Sequence, residues 1–144
     1  MIKFPDTHGA HRRLTLVNDL RQVSLLTGFV DRVREENHLA PALATKINLA
    51  LKEAVCNVIM YAYPEGTAGT LDLDAVREGN RLQFTLSDRG KAFDPTAAPA
   101  ADLTARLEDR PVGGLGIHLV RSIMDSIRYQ RLDGMNVLTM IIYL

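Results

Sequence analysis

The spacing of apolar residues changes period between residues 62 and 70 of this chain, and that change restricts the fold more than any other feature. Between residues 20 and 62 the apolar positions recur every three to four residues; from residue 70 to about 87 they alternate with polar ones. The first pattern belongs to helices with one buried stripe and the second to strands with one buried face. A chain of 144 residues with both patterns suits one domain with one hydrophobic core.

Leu14, Thr15, Leu16 and Val17 have strand character, and residues 1–12 before them read as a loose arm or an edge strand. Asn18 or Asp19 can cap a helix whose stripe is Leu20, Val23, Leu26, Val30 and Val33, ending near 37–40 ahead of Pro41. A second helix is expected over 41–62, burying Ile47, Leu51, Ala54, Val55, Val58 and Ile59, with Pro64-Glu65-Gly66 as its stop. Strands follow at 69–77 and 81–87 around Glu78-Gly79-Asn80, a hairpin signal. Leu71, Leu73 and Ala75 alternate there with Asp72, Asp74 and Val76, as in a sheet with one polar face. Residues 94–112, with Ala97-Ala98-Pro99-Ala100-Ala101 and Glu108-Asp109-Arg110-Pro111, read as a long loop of the kind that carries function. A helix over 116–125 and strands at 127–132 and 137–143, joined by Asp133-Gly134-Met135-Asn136, complete the order βααββ–loop–αββ. The fold class is α/β (α+β): a two-layer sandwich in which helices cover one face of a mixed, largely antiparallel sheet.

Lysine and arginine total 17, as do aspartate and glutamate. That balance argues against nucleic-acid binding by phosphate neutralisation and against a polybasic membrane anchor. No apolar run is long enough for a membrane-spanning helix, and the first residues lack the continuous apolar segment of a signal peptide. Cys56 is the one cysteine, which excludes an internal disulfide and, set in a helical pattern, reads as a structural thiol.

Three short stretches can carry chemistry. Glu53 and Asn57 lie four apart on the second helix and share a face with Leu49 and Tyr61, off the apolar stripe. They are either a solvated row or an amide oxygen for a hard cation beside a carboxylate base. Asp88-Arg89-Gly90 follows a strand. It is either a common Asp-X-Gly turn or a carboxylate that accepts from an exocyclic amine such as that of adenine, with Gly90 letting backbone approach a ligand. Gly113-Gly114-Leu115-Gly116 opens a helix, where free backbone N–H groups favour an anion. It is neither a dinucleotide fingerprint nor a Walker A loop.

Taken in order, these stretches resemble the N, G1 and G2 boxes of the GHKL (histidine-kinase-like) ATPases, and most closely those of the bacterial anti-sigma factor serine/threonine kinases. The resemblance rests on Leu51-Lys52-Glu53-Ala54-Val55-Cys56-Asn57, on Asp88-X-Gly90-X-X-Phe93-Asp94-Pro95, on Pro111-X-Gly113-Gly114-Leu115-Gly116-Ile117 and on Asn136-X-Leu138-Thr139, and covers residue 14 to the C-terminus. It departs at Tyr61, where many members have histidine, and in lacking a glycine closer to the final threonine.

The resemblance implies Mg²⁺ held by Asn57 and ATP held by Asp88, Gly90, Phe93, Gly113, Gly114, Leu115 and Gly116, with Thr139 assisting Asp88. Glu53 would be the base for a serine or threonine hydroxyl. Residues 94–112 would be the ATP lid, and Arg106 and Arg110 would either clamp the γ-phosphate or lie in solvated loop. By the same resemblance the partners are an anti-anti-sigma protein of STAS fold and a sigma factor, the chain is a homodimer formed through the sheet, and its place is the bacterial cytoplasm. The competing readings are a sequestering module that binds ATP without phosphotransfer, a sensor histidine kinase domain and a gyrase-type ATPase. The second lacks room for a dimerisation helix pair with a phospho-accepting histidine. His8, His11, His38 and His118 read instead as surface or helix-end residues. The third lacks the further domain such enzymes need.

Overall fold

The computed structural model describes residues 11–64, 66–97 and 114–144. Strand β1 (His11–Val17) is followed by a 3₁₀ turn (Leu20–Ser24) and helices α1 (Leu25–Asn37) and α2 (Pro41–Tyr61). Strands β2 (Thr70–Glu78) and β3 (Arg81–Asp88) come next, then α3 (Gly114–Ile123), β4 (Ser126–Leu132) and β5 (Met135–Tyr143). The five-stranded sheet has the order β1-β2-β3-β5-β4, and every neighbouring pair is antiparallel. The parallel component allowed for in a mixed sheet is therefore absent among the described strands.

Local chemistry sets the element ends. The Asp19 side chain accepts from Arg21 N at 2.9 Å and caps the 3₁₀ turn, so the α-helix proper starts only at Leu25. Of the stripe expected from residue 20, Val23, Leu26, Val30 and Val33 are buried as spaced. Leu20 is left exposed, and Phe29 joins Leu26, Val30 and Val33 in the core. His38 ends α1 in the left-handed region at φ 53°, and Pro41 opens α2 at a position whose N–H would be unpaired anyway. Asp133 and Gly134 take φ values of 51° and 75°, the geometry of a tight hairpin between β4 and β5.

The three described helices lie on one face of the sheet, with α2 packed between α1 and α3. Leu16, Leu71, Leu73, Phe84, Leu86, Leu138 and Met140 of the sheet enclose the core with Ile47, Leu51, Ala54, Val55 and Val58 of α2. The opposite face is less wet than alternation suggests: Asp74, Val76, Thr85, Ser87 and Val137 are buried. Short side chains on interior strands are shielded by their neighbours. Asp74 Oδ1 is also covered from edge strand β1, by His11 Nε2 at 2.7 Å and Arg13 Nε at 2.8 Å. Among the described residues no helix is long and apolar enough to cross a membrane.

Candidate functional site

The row Leu49, Glu53, Asn57, Tyr61 runs along α2 and passes from solvent into the protein. Leu49 is 42% exposed, Glu53 is half-buried and Asn57 is 3% exposed. Tyr61 stacks on Phe93, with ring centroids 5.4 Å apart and planes 26° apart. A solvated helix face would stay exposed along its length, so the C-terminal half of this row is not one. The Asn57 side-chain nitrogen is buried with no hydrogen-bond partner among the described residues, a cost that proteins seldom tolerate without a reason. Cys56 is half-buried beside the core. Burial first, and then the Glu53 charge, push its thiol above the ordinary value, so it stays protonated and structural.

Asp88 ends β3 and is buried. Its two oxygens differ. Oδ1 accepts from Gly90 N at 2.8 Å and from Asn136 Nδ2 at 3.0 Å. Oδ2 is buried without a partner among the described residues. Burial pushes the Asp88 carboxyl above its usual range, against the opposing pull of the Asn136 and Gly90 hydrogen bonds and the Arg131 charge. A buried acceptor left open at the end of a strand is a place for a ligand donor.

Gly90 is required by the fold itself. A Cβ there would stand 2.4 Å from the Ala62 carbonyl oxygen, because this loop presses against the C-terminus of α2. Lys91 N donates to that same oxygen at 2.9 Å. One close approach that only glycine permits here is thus to protein backbone. From the other side, Arg131 Nη1 donates to Gly90 O at 2.9 Å and Phe93 N donates to Asn136 Oδ1 at 3.0 Å. Residues 88–93 are therefore held between α2 and the β4–β5 pair.

Thr139 does not join this network. It pairs in register with Thr85, three residues before Asp88, so it projects from the opposite face of the sheet. Asn136, which pairs with Asp88 itself, takes the place expected of Thr139. Sequence reasoning put Asn136 in a turn; its role is visible only once the β3–β5 register is fixed.

Helix α3 begins at Gly114, two residues earlier than its apolar pattern indicates. Gly114, Leu115 and Gly116 thus form its first turn, where backbone N–H groups lack intrahelical partners. The helix packs along α2, the helix that carries Glu53 and Asn57. Gly113, Arg106 and Arg110 lie outside the described residues, as does most of the expected lid. Its first residues include a short helical turn: Pro95–Ala97 form a 3₁₀ turn with Pro95 buried, and Arg121 Nη2 donates to Thr96 O at 2.8 Å. A cavity of about 400 Å³ touches Asp88 from the loop after α2, but Asp72 and Ser87 of the other sheet face line it and neither Glu53 nor Asn57 does.

The residues fit a magnesium ion only in partnership with phosphate. No group of three or more His, Cys, Asp or Glu among the described residues could hold a metal alone. Asn57 offers a buried amide, and rotating it by half a turn exchanges its nitrogen for an oxygen of the same size. Mg²⁺ is commonly held by one or two protein oxygens, with water and substrate phosphates completing an octahedron.

The sequence profile of the histidine kinase-like ATPase domain matches residues 16–142. The serine/threonine-protein kinase BtrW of Bordetella bronchiseptica is 29% identical over 112 residues, 78% of this chain and 79% of that protein. The serine-protein kinases RsbW of Bacillus cereus and Bacillus anthracis are each 30% identical over 96 residues, 64% of this chain and 59% of theirs. The chain thus spans less than two thirds of the RsbW length.

Proposed function

Starting from the fact that the chain belongs to the histidine kinase-like ATPase domain family, we propose that it is a protein serine/threonine kinase that binds Mg-ATP and acts by partner switching. Its substrate is a serine or threonine of an anti-anti-sigma protein of STAS fold, and its second partner is a sigma factor. Phosphorylating the first frees this protein to hold the second. It works as a homodimer in the bacterial cytoplasm.

One observation carries the nucleotide reading: Asp88 Oδ2 is buried and open while Oδ1 is saturated. A desolvated carboxylate oxygen costs free energy until a donor reaches it, and the exocyclic amine of adenine is such a donor. Asp88, held by Asn136 and Gly90, orients the base. The first turn of α3, at Gly114–Gly116, offers backbone N–H groups and the positive end of a helix dipole to phosphate oxygens. Asn57 would hold Mg²⁺, which when bound neutralises charge on the triphosphate. Glu53, one turn before Asn57, accepts the proton of the incoming hydroxyl. A positioned base of this kind contributes roughly 10²–10⁴ in rate.

Incubation with γ-labelled ATP and a STAS-fold protein from the same bacterium tests the proposal. Label on a serine or threonine of that protein is expected. Tight binding of both ATP and the partner with no transfer would make the chain a sequestering module instead.

A further inference from the structure

The side chain of Asn136 is 4% exposed and uses its whole hydrogen-bonding capacity. Its Nδ2 donates to Asp88 Oδ1 at 3.0 Å and to Lys91 O at 2.8 Å. Its Oδ1 accepts from Phe93 N at 3.0 Å and from the Tyr129 hydroxyl at 2.6 Å. Two donors and two lone pairs are all a carboxamide has. The orientation of this amide is therefore fixed by its surroundings. Reversed, its oxygen would face the Lys91 carbonyl and the Asp88 carboxylate, and its NH₂ would face the Phe93 N–H. Tyr129 reinforces that choice from the edge strand, because its hydroxyl can donate to an oxygen held where Oδ1 stands.

The consequence falls on Asp88. With Asn136 locked, Oδ1 is occupied twice, and Oδ2 is left as a single, buried acceptor without a partner among the described residues. We propose that Asn136, with Tyr129 behind it, is a positioning pair that turns Asp88 into a one-oxygen acceptor and so sets the preference of the site for a purine bearing a 6-amino group. The inference rests on the nucleotide reading above and adds to it two residues that act through Asp88. The order is Tyr129 hydroxyl to Asn136 amide to Asp88 Oδ1, leaving Oδ2 for the ligand. Loss of the hydroxyl takes one of the two donors from Asn136 Oδ1, so the amide, and through it Asp88, is held less firmly.

Tyr129→Phe removes only the hydroxyl and keeps the ring on the core, so it folds, as a thermal melt verifies. The full chain and the variant are each titrated with ATP and with purine riboside triphosphate, which lacks the 6-amino group. The variant is expected to bind ATP about tenfold more weakly, the worth of roughly one hydrogen bond. It should bind purine riboside triphosphate within about twofold of the unaltered chain, because that ligand never uses Asp88 Oδ2. Equal losses for both nucleotides would show a merely structural role and overturn the proposal, as would no loss for either. If the unaltered chain binds the two triphosphates equally well, Asp88 is not the amine acceptor, and the reading beneath this proposal fails first.

Discussion

Replacing Asp88 with asparagine separates what this residue does for the ligand from what it does to the fold. The asparagine has one sensible orientation. Its oxygen must stay at the Oδ1 position, where Gly90 N at 2.8 Å and Asn136 Nδ2 at 3.0 Å both need an acceptor. Its NH₂ therefore takes the place of Oδ2, buried and open. An amine that met an acceptor now meets a donor. A hydrogen bond to a charged group is worth about 1.5–3 kcal/mol. Adding the opposed donors, the loss is about 2–3 kcal/mol, or roughly two orders of magnitude in affinity. Titration with a fluorescent ATP analogue measures it, and GTP, whose 6-oxo group accepts, should gain on ATP. The effect on stability has the opposite sign. Burial raises the carboxyl pKa of Asp88 in the folded chain. The folded state then binds the proton more tightly than the unfolded state, so stability falls as pH rises through the unfolded and then the folded value. At neutral pH Asp88→Asn should equal or exceed the unaltered chain in urea denaturation without nucleotide. Its advantage should shrink as pH falls through the folded pKa of Asp88, where the native carboxyl takes up its proton. Unchanged ATP affinity together with lower stability at pH 7 would refute the reasoning at both points.

Gly90→Ala puts a methyl 2.4 Å from the Ala62 carbonyl oxygen and 2.9 Å from Asp88 Oδ1; overpacking of this kind costs about 1–3 kcal/mol. Urea denaturation should show that loss even without ligand, and a cost seen only with nucleotide present would mean the glycine serves the ligand. Asn57→Ala removes a buried amide whose nitrogen has no partner among the described residues, so stability should change little. ATP titrations with and without Mg²⁺ should instead become alike, and a metal effect as large as in the unaltered chain would remove Asn57 from the ion. Leu51→Ala empties a fully buried position on α2 and should cost about 2–5 kcal/mol in the same denaturation experiment; a loss under about 1 kcal/mol would contradict the packing described.

The architecture was largely legible because it rests on periodicity and breakers. The helical stripe of Ile47, Leu51, Ala54, Val55, Val58 and Ile59 faces the core as spaced, and Pro41, Gly79 and Asp133-Gly134 mark real boundaries. What failed to show was the 3₁₀ turn and the register. Val23, Leu26, Val30 and Val33 are buried as spaced, but the turn capped by Asp19 leaves Leu20 outside, and Phe29 adds to the core. Thr139 looked like a companion of Asp88 by the family resemblance of its stretch. An antiparallel register that pairs Asp88 with Asn136 sends a residue three further along to the other face. Gly90 illustrates a third limit. Its presence could be read from the sequence, but its packing against the Ala62 carbonyl, from a helix end 28 residues earlier in the chain, could not.

Glu53→Gln is the sharpest test of phosphotransfer by this site, because it keeps the size of the side chain and removes only the base. Glu53 stands one helical turn before Asn57 and is half-buried, at the end of the row away from the Tyr61–Phe93 stack. Single-turnover transfer of labelled γ-phosphate to a STAS-fold partner, measured beside an independent titration with Mg-ATP, gives two numbers. Nucleotide affinity within a few-fold of the unaltered chain is expected, with transfer slower by about 10²–10⁴. Transfer at the unaltered rate would contradict that expectation and leave Glu53 an ordinary residue of a helix face.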